Sequence, residues 1–212
     1  MTVPTTTHKD INMDSISNYS ARDRRAIAGA IMAGRFEQTD DGMFVPALGG
    51  LTLGGRYTAI VSCEGQEIER SNTFNLIPNE GLGYALDVLL HSGTAKPSNW
   101  YAAPFEGNYT PVATVTAATI VAAATECTAY SESTRVAYTA AASASQVSSN
   151  SASLANFTFN ATKTIYGAFI TTTATKSATT GKLLSAARFS TSHAVQSGYV
   201  LSLGYDLTAA SA

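Results

Sequence analysis

The closing stretch GYVLSLGYDLT, residues 198 to 208, alternates without a break between large apolar side chains and other types. One set of alternate positions holds Tyr199, Leu201, Leu203, Tyr205 and Leu207. The other set holds Val200, Ser202, Gly204 and Asp206. Because successive side chains of a strand point to opposite faces of a sheet, this pattern predicts a half-buried antiparallel strand. The chain is therefore expected to be mainly β.

Shorter apolar segments precede this one at about ten-residue spacing, with Gly, Ser and Thr between them. The predicted strands in the second half of the chain are NWYAAPF, RVAYTA, ANFTFNA, KTIYGAFITT and KLLSAARFS. Nearer the start, RYTAIVSC and EIERSNTFNLI flank the turn EGQ and predict a hairpin. This arrangement favours an antiparallel β-sandwich or jelly-roll-like domain. Residues 141–154, rich in Ala and Ser, are predicted to form a long surface loop.

Two segments have the periodicity of a helix. SARDRRAIAGAIMAG, residues 20–34, begins with an N-cap serine and ends at a glycine, and its apolar face is shallow. That face consists of Ala26, Ile27, Ala30 and Ile31. PNEGLGYALDVLLHSG, residues 78–93, predicts a short helix that caps the sheet. Its predicted buried stripe is Leu82, Leu86, Leu89 and Leu90.

These elements predict two regions. Residues 1–70 would form an attachment region of polar arm, helix and hairpin, and residues 71–212 would form the β-sandwich domain. Three arginines, Arg22, Arg24 and Arg25, lie in the first turns of the first helix, where cations oppose the helix dipole. A solvated basic face is the default explanation. The alternative is a contact with a partner, and the candidate partner-binding residues are Arg22, Arg24, Arg25, Ile27 and Ile31.

The composition of the chain excludes some classes of function. The chain is 45% hydrophobic and only 13% charged, so Thr, Ser and Ala must supply much of the polar surface. A net charge of −2 gives no reason to expect nucleic acid or an anionic membrane as a partner. The start has no secretion-type apolar core, and no window has the roughly 18 apolar residues of a membrane helix. We therefore expect synthesis in the cytoplasm, with Cys63 and Cys127 as reduced, structural thiols.

The densest group of reactive side chains lies in ATECTAYSESTRVAYTA, residues 124–140. Cys127 could be a nucleophile if one of the three histidines, His8, His91 and His193, met it in space. Glu126 and Glu132 could form a glycosidase pair. The sequence favours a simpler interpretation, in which Cys127 packs in the core and Glu126 neutralises Arg135 at the end of a strand.

Other candidate sites are weak. GGLTLGG, residues 49–55, lacks the Lys and Ser/Thr of a phosphate-binding loop, and predicts a flexible turn. Asp40 and Asp41 supply too few oxygen ligands for calcium. We therefore predict no catalytic residue, no cofactor and no metal.

Several motifs resemble structural proteins of tailed-bacteriophage virions. They are NLIPNEGLGYALDVLLHSG, NWYAAPFEGNYTP, ATECTAYSESTRVAYT, TIYGAFITTT and GYVLSLGYDLT, within residues 72 to 208. In that group a helix with an Asn-Glu-Gly start precedes a Trp-Tyr strand, an Arg-led strand and a Gly-Ala-Phe strand. The resemblance implies a β-sandwich used repeatedly on a particle, as a capsid decoration or cement protein or as part of the tail.

The expected function is thus non-enzymatic assembly: a homo-oligomer that contacts other virion proteins, capsid or tail, and is located in the virion. Low charge agrees with such a role, since protein interfaces have few charges at their centre. One alternative is a receptor-binding or glycan-binding module with an exposed aromatic platform of Trp100, Tyr101, Tyr109 and Tyr130. For Trp100, packing in the core is the favoured interpretation. The other alternative is a hydrolase that uses Cys127 or Glu132.

Overall fold

The computed structural model describes residues 36–38, 44–46 and 51–211. In its N-terminal part, β1 (Phe36–Gln38) and β2 (Phe44–Pro46) form an antiparallel two-stranded sheet. The arm and the helix predicted before residue 35 lie outside the described residues, as do all five candidate partner-binding residues.

Residues 51–211 form a β-sandwich, which confirms the predicted fold class. Its elements are β3 (Leu51–Cys63), β4 (Gln66–Phe74), α1 (Asn79–Leu90), β5 (Trp100–Phe105), α2 (Ala117–Ala124), β6 (Val136–Tyr138), β7 (Val147–Ser149), β8 (Ala155–Thr158), β9 (Lys163–Thr171), β10 (Leu183–Val195) and β11 (Val200–Ser211). One sheet has the order β4-β3-β11-β7, with β8 also paired to β11, and the other has the order β10-β9-β5-β6. The jelly-roll connectivity stays a prediction.

The main core lies between the two sheets, and β11 contributes to it as its alternation predicts. Leu201, Leu203 and Tyr205 are buried there. The Tyr205 ring packs against Tyr57 at a centroid distance of 4.6 Å, and the Tyr138 hydroxyl donates to the Tyr205 carbonyl over 3.1 Å. Tyrosine therefore supplies both apolar area and hydrogen bonds to this core.

The outer face of the four-stranded sheet is covered by α2, a helix that the sequence pattern did not predict. Ala117, Ile120 and Ala124 are buried against Phe105 and Phe169 in a second core. The segment AATIVAAA mixes β-branched residues with alanine, so composition alone favoured a strand. The sequence did contain a sign of the start of this helix, because Thr116 and Thr119 are three residues apart, as in a capping box. In the structure, the Thr116 N–H donates to the Thr119 hydroxyl over 3.1 Å.

The helix α1 forms where it was predicted, but it buries a different face. Leu82, Leu86, Leu89 and Leu90 are all exposed, so the prediction of a buried leucine stripe is wrong. Gly81 is buried instead, and a Cβ at this position would overlap the carbonyl oxygen of Leu184 in β10. The close approach of backbone to backbone at Gly81 thus turns the side of α1 that holds Gly81, not the leucines, toward the sheet.

The predicted loop at residues 141–154 contains a short strand, β7, which pairs with β11. Between β7 and β8, the Asn150 side chain replaces the missing backbone partners of β11. Its Oδ1 accepts the Tyr205 N–H over 2.7 Å, and its Nδ2 donates to the Leu203 carbonyl over 3.1 Å. One side chain therefore keeps this edge of β11 paired where the neighbouring strand is interrupted.

The predicted boundary between residues 70 and 71 falls inside β4. Residues Leu53–Ala209 form one compact unit, because the β3–β4 hairpin is part of the five-stranded sheet. The prediction of a flexible turn at GGLTLGG is also wrong for residues 51–55, which belong to β3. Gly55 leaves room for the Tyr205 ring, which a Cβ there would overlap.

Candidate functional site

The reactive stretch at residues 124–140 is organised by a buried ion pair. Arg135 Nε lies 2.9 Å from Glu126 Oε1, and Arg135 Nη2 lies 2.6 Å from Glu126 Oε2. Both side chains are 1% exposed. The predicted pairing of Glu126 with Arg135 is confirmed, and its two parallel hydrogen bonds give the strongest geometry available to these groups.

The remaining hydrogen-bonding capacity of the pair is used on the loop between β9 and β10. Arg135 donates to the carbonyls of Thr173 and Ala178 over 3.1 and 3.0 Å. Glu126 Oε2 accepts the N–H of Ser177 over 3.0 Å. The charges are thus compensated by each other and by loop backbone, and they hold that loop against the segment that precedes β6.

Glu132 is also used by the fold. Its two carboxylate oxygens accept the N–H of Thr158 at the end of β8, over 3.2 and 3.1 Å. A general acid or base would need a carboxyl group that faces a substrate. The two carboxylates of the proposed glycosidase pair instead bind separate pieces of the protein's own backbone, so the pattern of contacts disfavours that chemistry.

Cys127 is fully buried, and burial raises the pKa of its thiol. A nucleophilic cysteine requires a histidine partner, and the two described histidines have other contacts: His91 contacts Thr94, and His193 contacts Ser71 and Glu69. His8 lies outside the described residues. A raised thiol pKa lowers the fraction of reactive thiolate at neutral pH, so these features support the packing role predicted for Cys127.

A constellation that the sequence did not reveal joins β4 to β10. The Ser71 hydroxyl lies 2.8 Å from His193 Nε2, and His193 Nδ1 lies 2.6 Å from Glu69 Oε2. Nucleophile, base and orienting carboxylate are in the order of a hydrolytic triad. Ser71 and His193 are 122 positions apart along the chain, so the sequence could not predict their contact. It could predict only that Glu69 and Ser71 lie on one face of a strand, because they are two residues apart.

Burial differs among these three residues: Ser71 and His193 are enclosed, whereas the Glu69 side chain is 45% exposed. Ser71 is 8% exposed and His193 is 1% exposed, and the imidazole packs edge-on against Phe189. The contacts form a polar link between the two strands, in which the Ser71 hydroxyl and both His193 ring nitrogens have partners.

The aromatic residues considered for glycan binding do not form one exposed platform. Tyr130 is buried, its ring edge-on to Phe157 and covered by the Lys176 ammonium 3.5 Å from the ring centroid. Trp100 packs against the main core, as predicted, while Tyr109 packs against the second core beneath α2. The prediction of a shared platform is therefore wrong at Tyr130.

The most distinctive surface feature is the exposed side of α1. We call it the leucine face: Leu82, Leu86, Leu89 and Leu90. Their spacing of i, i+4, i+7 and i+8 places them on one stripe of the helix. Large apolar side chains scattered singly on a surface need no explanation, but a contiguous stripe usually marks an interaction site.

Within residues 51–211, no three His, Cys, Asp or Glu side chains converge as metal ligands, and no helix is both long and apolar enough to cross a membrane. No protein-family model matches this sequence, and a search of curated proteins finds no significant match. The function must therefore be argued from the chain's own residues.

Proposed function

We propose that this protein is a non-enzymatic structural component of a tailed-phage virion, most simply a capsid decoration or cement protein that stabilises the particle through subunit contacts. The observation that carries the proposal is the leucine face. A helix that keeps four large leucines on its outer side, in a chain with 13% charged residues, has a surface suited to protein contacts.

The internal use of the reactive groups supports the same proposal. Glu126, Arg135 and Glu132 bind each other or backbone, and Cys127 is buried with a raised pKa. A cement protein needs contact area and a rigid shape rather than accessible reactive groups. The assignment to a phage particle rests on the sequence motifs of residues 72 to 208, and under it the protein is made in the host cytoplasm and located in the virion.

The proposal is tested by binding to particles. Purified full-length protein is mixed with virions that lack it, and sedimentation of the protein with the particles is measured together with the temperature at which the particles release their genome. We expect saturable binding and a higher release temperature. Binding to tail structures alone would replace the decoration role with that of a tail component, and binding only to host glycans would support a receptor-binding module.

A matched pair of variants links particle binding to the leucine face. Leu86 in α1 and Ile68 in β4 are 53% and 52% exposed. We expect Leu86→Glu to weaken particle binding at least tenfold and Ile68→Glu to leave it unchanged. Equal binding by both variants would show that the leucine face does not carry the contact.

A further inference from the structure

The leucine face has a ridge that can pack against a copy of itself. Leu82, Leu86 and Leu90 are spaced by four residues and form a single ridge along α1. Their exposed fractions rise toward the end of the helix, from 38% at Leu82 through 53% at Leu86 to 83% at Leu90. The side of α1 that holds it to its own sheet, around Gly81, is separate from this ridge.

We propose that the leucine face binds the leucine face of a second copy of this chain, with the two α1 helices antiparallel about a twofold axis at Leu86. This proposal rests on the proposed function, and it identifies a second copy of the chain as a partner of the leucine face. A twofold contact uses the same patch on both copies, so every residue must be opposite an acceptable residue of the other copy.

The positions along α1 satisfy this requirement. With the axis at Leu86, that residue lies opposite its own counterpart, and Leu82 lies opposite Leu90 of the second copy. Leu89 lies opposite Gly83 of the second copy. A Cβ at Gly83 would meet nothing within 4 Å, so there is open space above it that a leucine side chain could fill.

Charge also permits the antiparallel pairing. Asp87 is the only charged residue between Leu82 and Leu90, and in this register it lies opposite Ala85 of the second copy. Glu80 is engaged by its own chain, since its Oε2 accepts the N–H groups of Ala117 and Leu183 over 2.8 and 2.9 Å. The last turn of α1 has no basic residue. An antiparallel neighbour places the positive end of its helix dipole beside this uncompensated negative end.

The apolar area of the leucine face determines how strong a dimer it can form. Four leucines exposed to this degree form an apolar patch on the order of 400 Å², the size of patch that often proves functional. A stable protein interface buries about 800 Å² on each partner. The α1 contact alone therefore predicts a weak, concentration-dependent dimer, which the high local concentration of subunits on a particle would favour.

Disulfide trapping in the full-length protein tests the register. In a Cys63→Ser background, Leu86→Cys should form a covalent dimer on mild oxidation at least ten times faster than the equally exposed Ile68→Cys. Leu82→Cys mixed with Leu90→Cys should give a mixed dimer, faster than Leu82→Cys alone. Equal rates at Leu86 and Ile68 would overturn the proposal.

Sedimentation equilibrium supplies a second measurement. We expect monomer and dimer in exchange, with at least a tenfold weaker dimer for Leu86→Glu and no change for Ile68→Glu. A protein that is monomeric at every concentration, yet binds particles through Leu86, would overturn the self-association and leave the proposed function standing. A protein that forms the dimer but binds no virion would support the self-association and overturn the proposed function.

Discussion

Two regions of this protein place their side chains in opposite ways. Around Glu126 and Arg135, charged groups are buried, while on α1 four leucines are exposed. The stretch richest in reactive groups thus supports the fold, because each charge is matched by a partner or by backbone. The clearest apolar stripe faces solvent, where it is available for contacts. Reactive residue types in a sequence do not by themselves indicate a functional site, because the side chains must also be accessible in the structure.

The largest expected effect comes from breaking the buried ion pair. Arg135→Ala should lower the free energy of unfolding by about 3 to 5 kcal/mol, because it leaves the Glu126 carboxylate buried without its cation. Urea denaturation monitored by circular dichroism measures the change. Arg70→Ala is the control, since it removes an exposed pair with Glu67, and we expect no measurable change. Similar values for the two variants would mean that the buried pair does not hold the β9–β10 loop.

Alkaline pH tests the main core through the buried Tyr205. Burial raises the pKa of Tyr205 to about 12. The phenol of the unfolded chain ionises from about pH 10, so its contribution is complete below that pH and is lost as pH rises toward 12. The loss amounts to about 2 to 3 kcal/mol for this residue.

The measurement is the unfolding free energy at pH 9 and pH 11.5 for the original protein and for Tyr205→Phe. We expect a smaller alkaline loss in the variant, since it has no phenol to ionise at that position. An identical pH dependence in both proteins would show that Tyr205 is not protected from ionisation by the fold.

A smaller effect is expected at the link between β4 and β10. Ser71→Ala should cost about 1 to 3 kcal/mol, because His193 loses a buried hydrogen-bond partner. The original protein should not react with a fluorophosphonate probe. Labelling that disappears in Ser71→Ala while the protein stays folded would convert this polar link into a catalytic site and would contradict the non-enzymatic proposal.

Local patterns predicted much of the sandwich. The alternation from Tyr199 to Leu207 gave the buried face of β11, and Glu126 with Arg135 gave the ion pair. The features that sequence reasoning missed depend on contacts between distant residues. α2 is stabilised by packing on Phe105 and Phe169, and the face of α1 is selected by the close approach of Gly81 to β10. Ser71 and His193 meet only because β4 and β10 pack together.

The smallest expected effect tests the central claim, that the leucines of α1 form a surface rather than a core. The measurement is the free energy of unfolding of Leu86→Ala at a protein concentration low enough to keep the chain monomeric. We expect a change within about 0.5 kcal/mol, as for other exposed positions. Ile120→Ala in α2, where the side chain is fully buried, should cost about 2 to 5 kcal/mol in the same experiment. A comparable loss for Leu86→Ala would show that this leucine belongs to the core and would contradict the account.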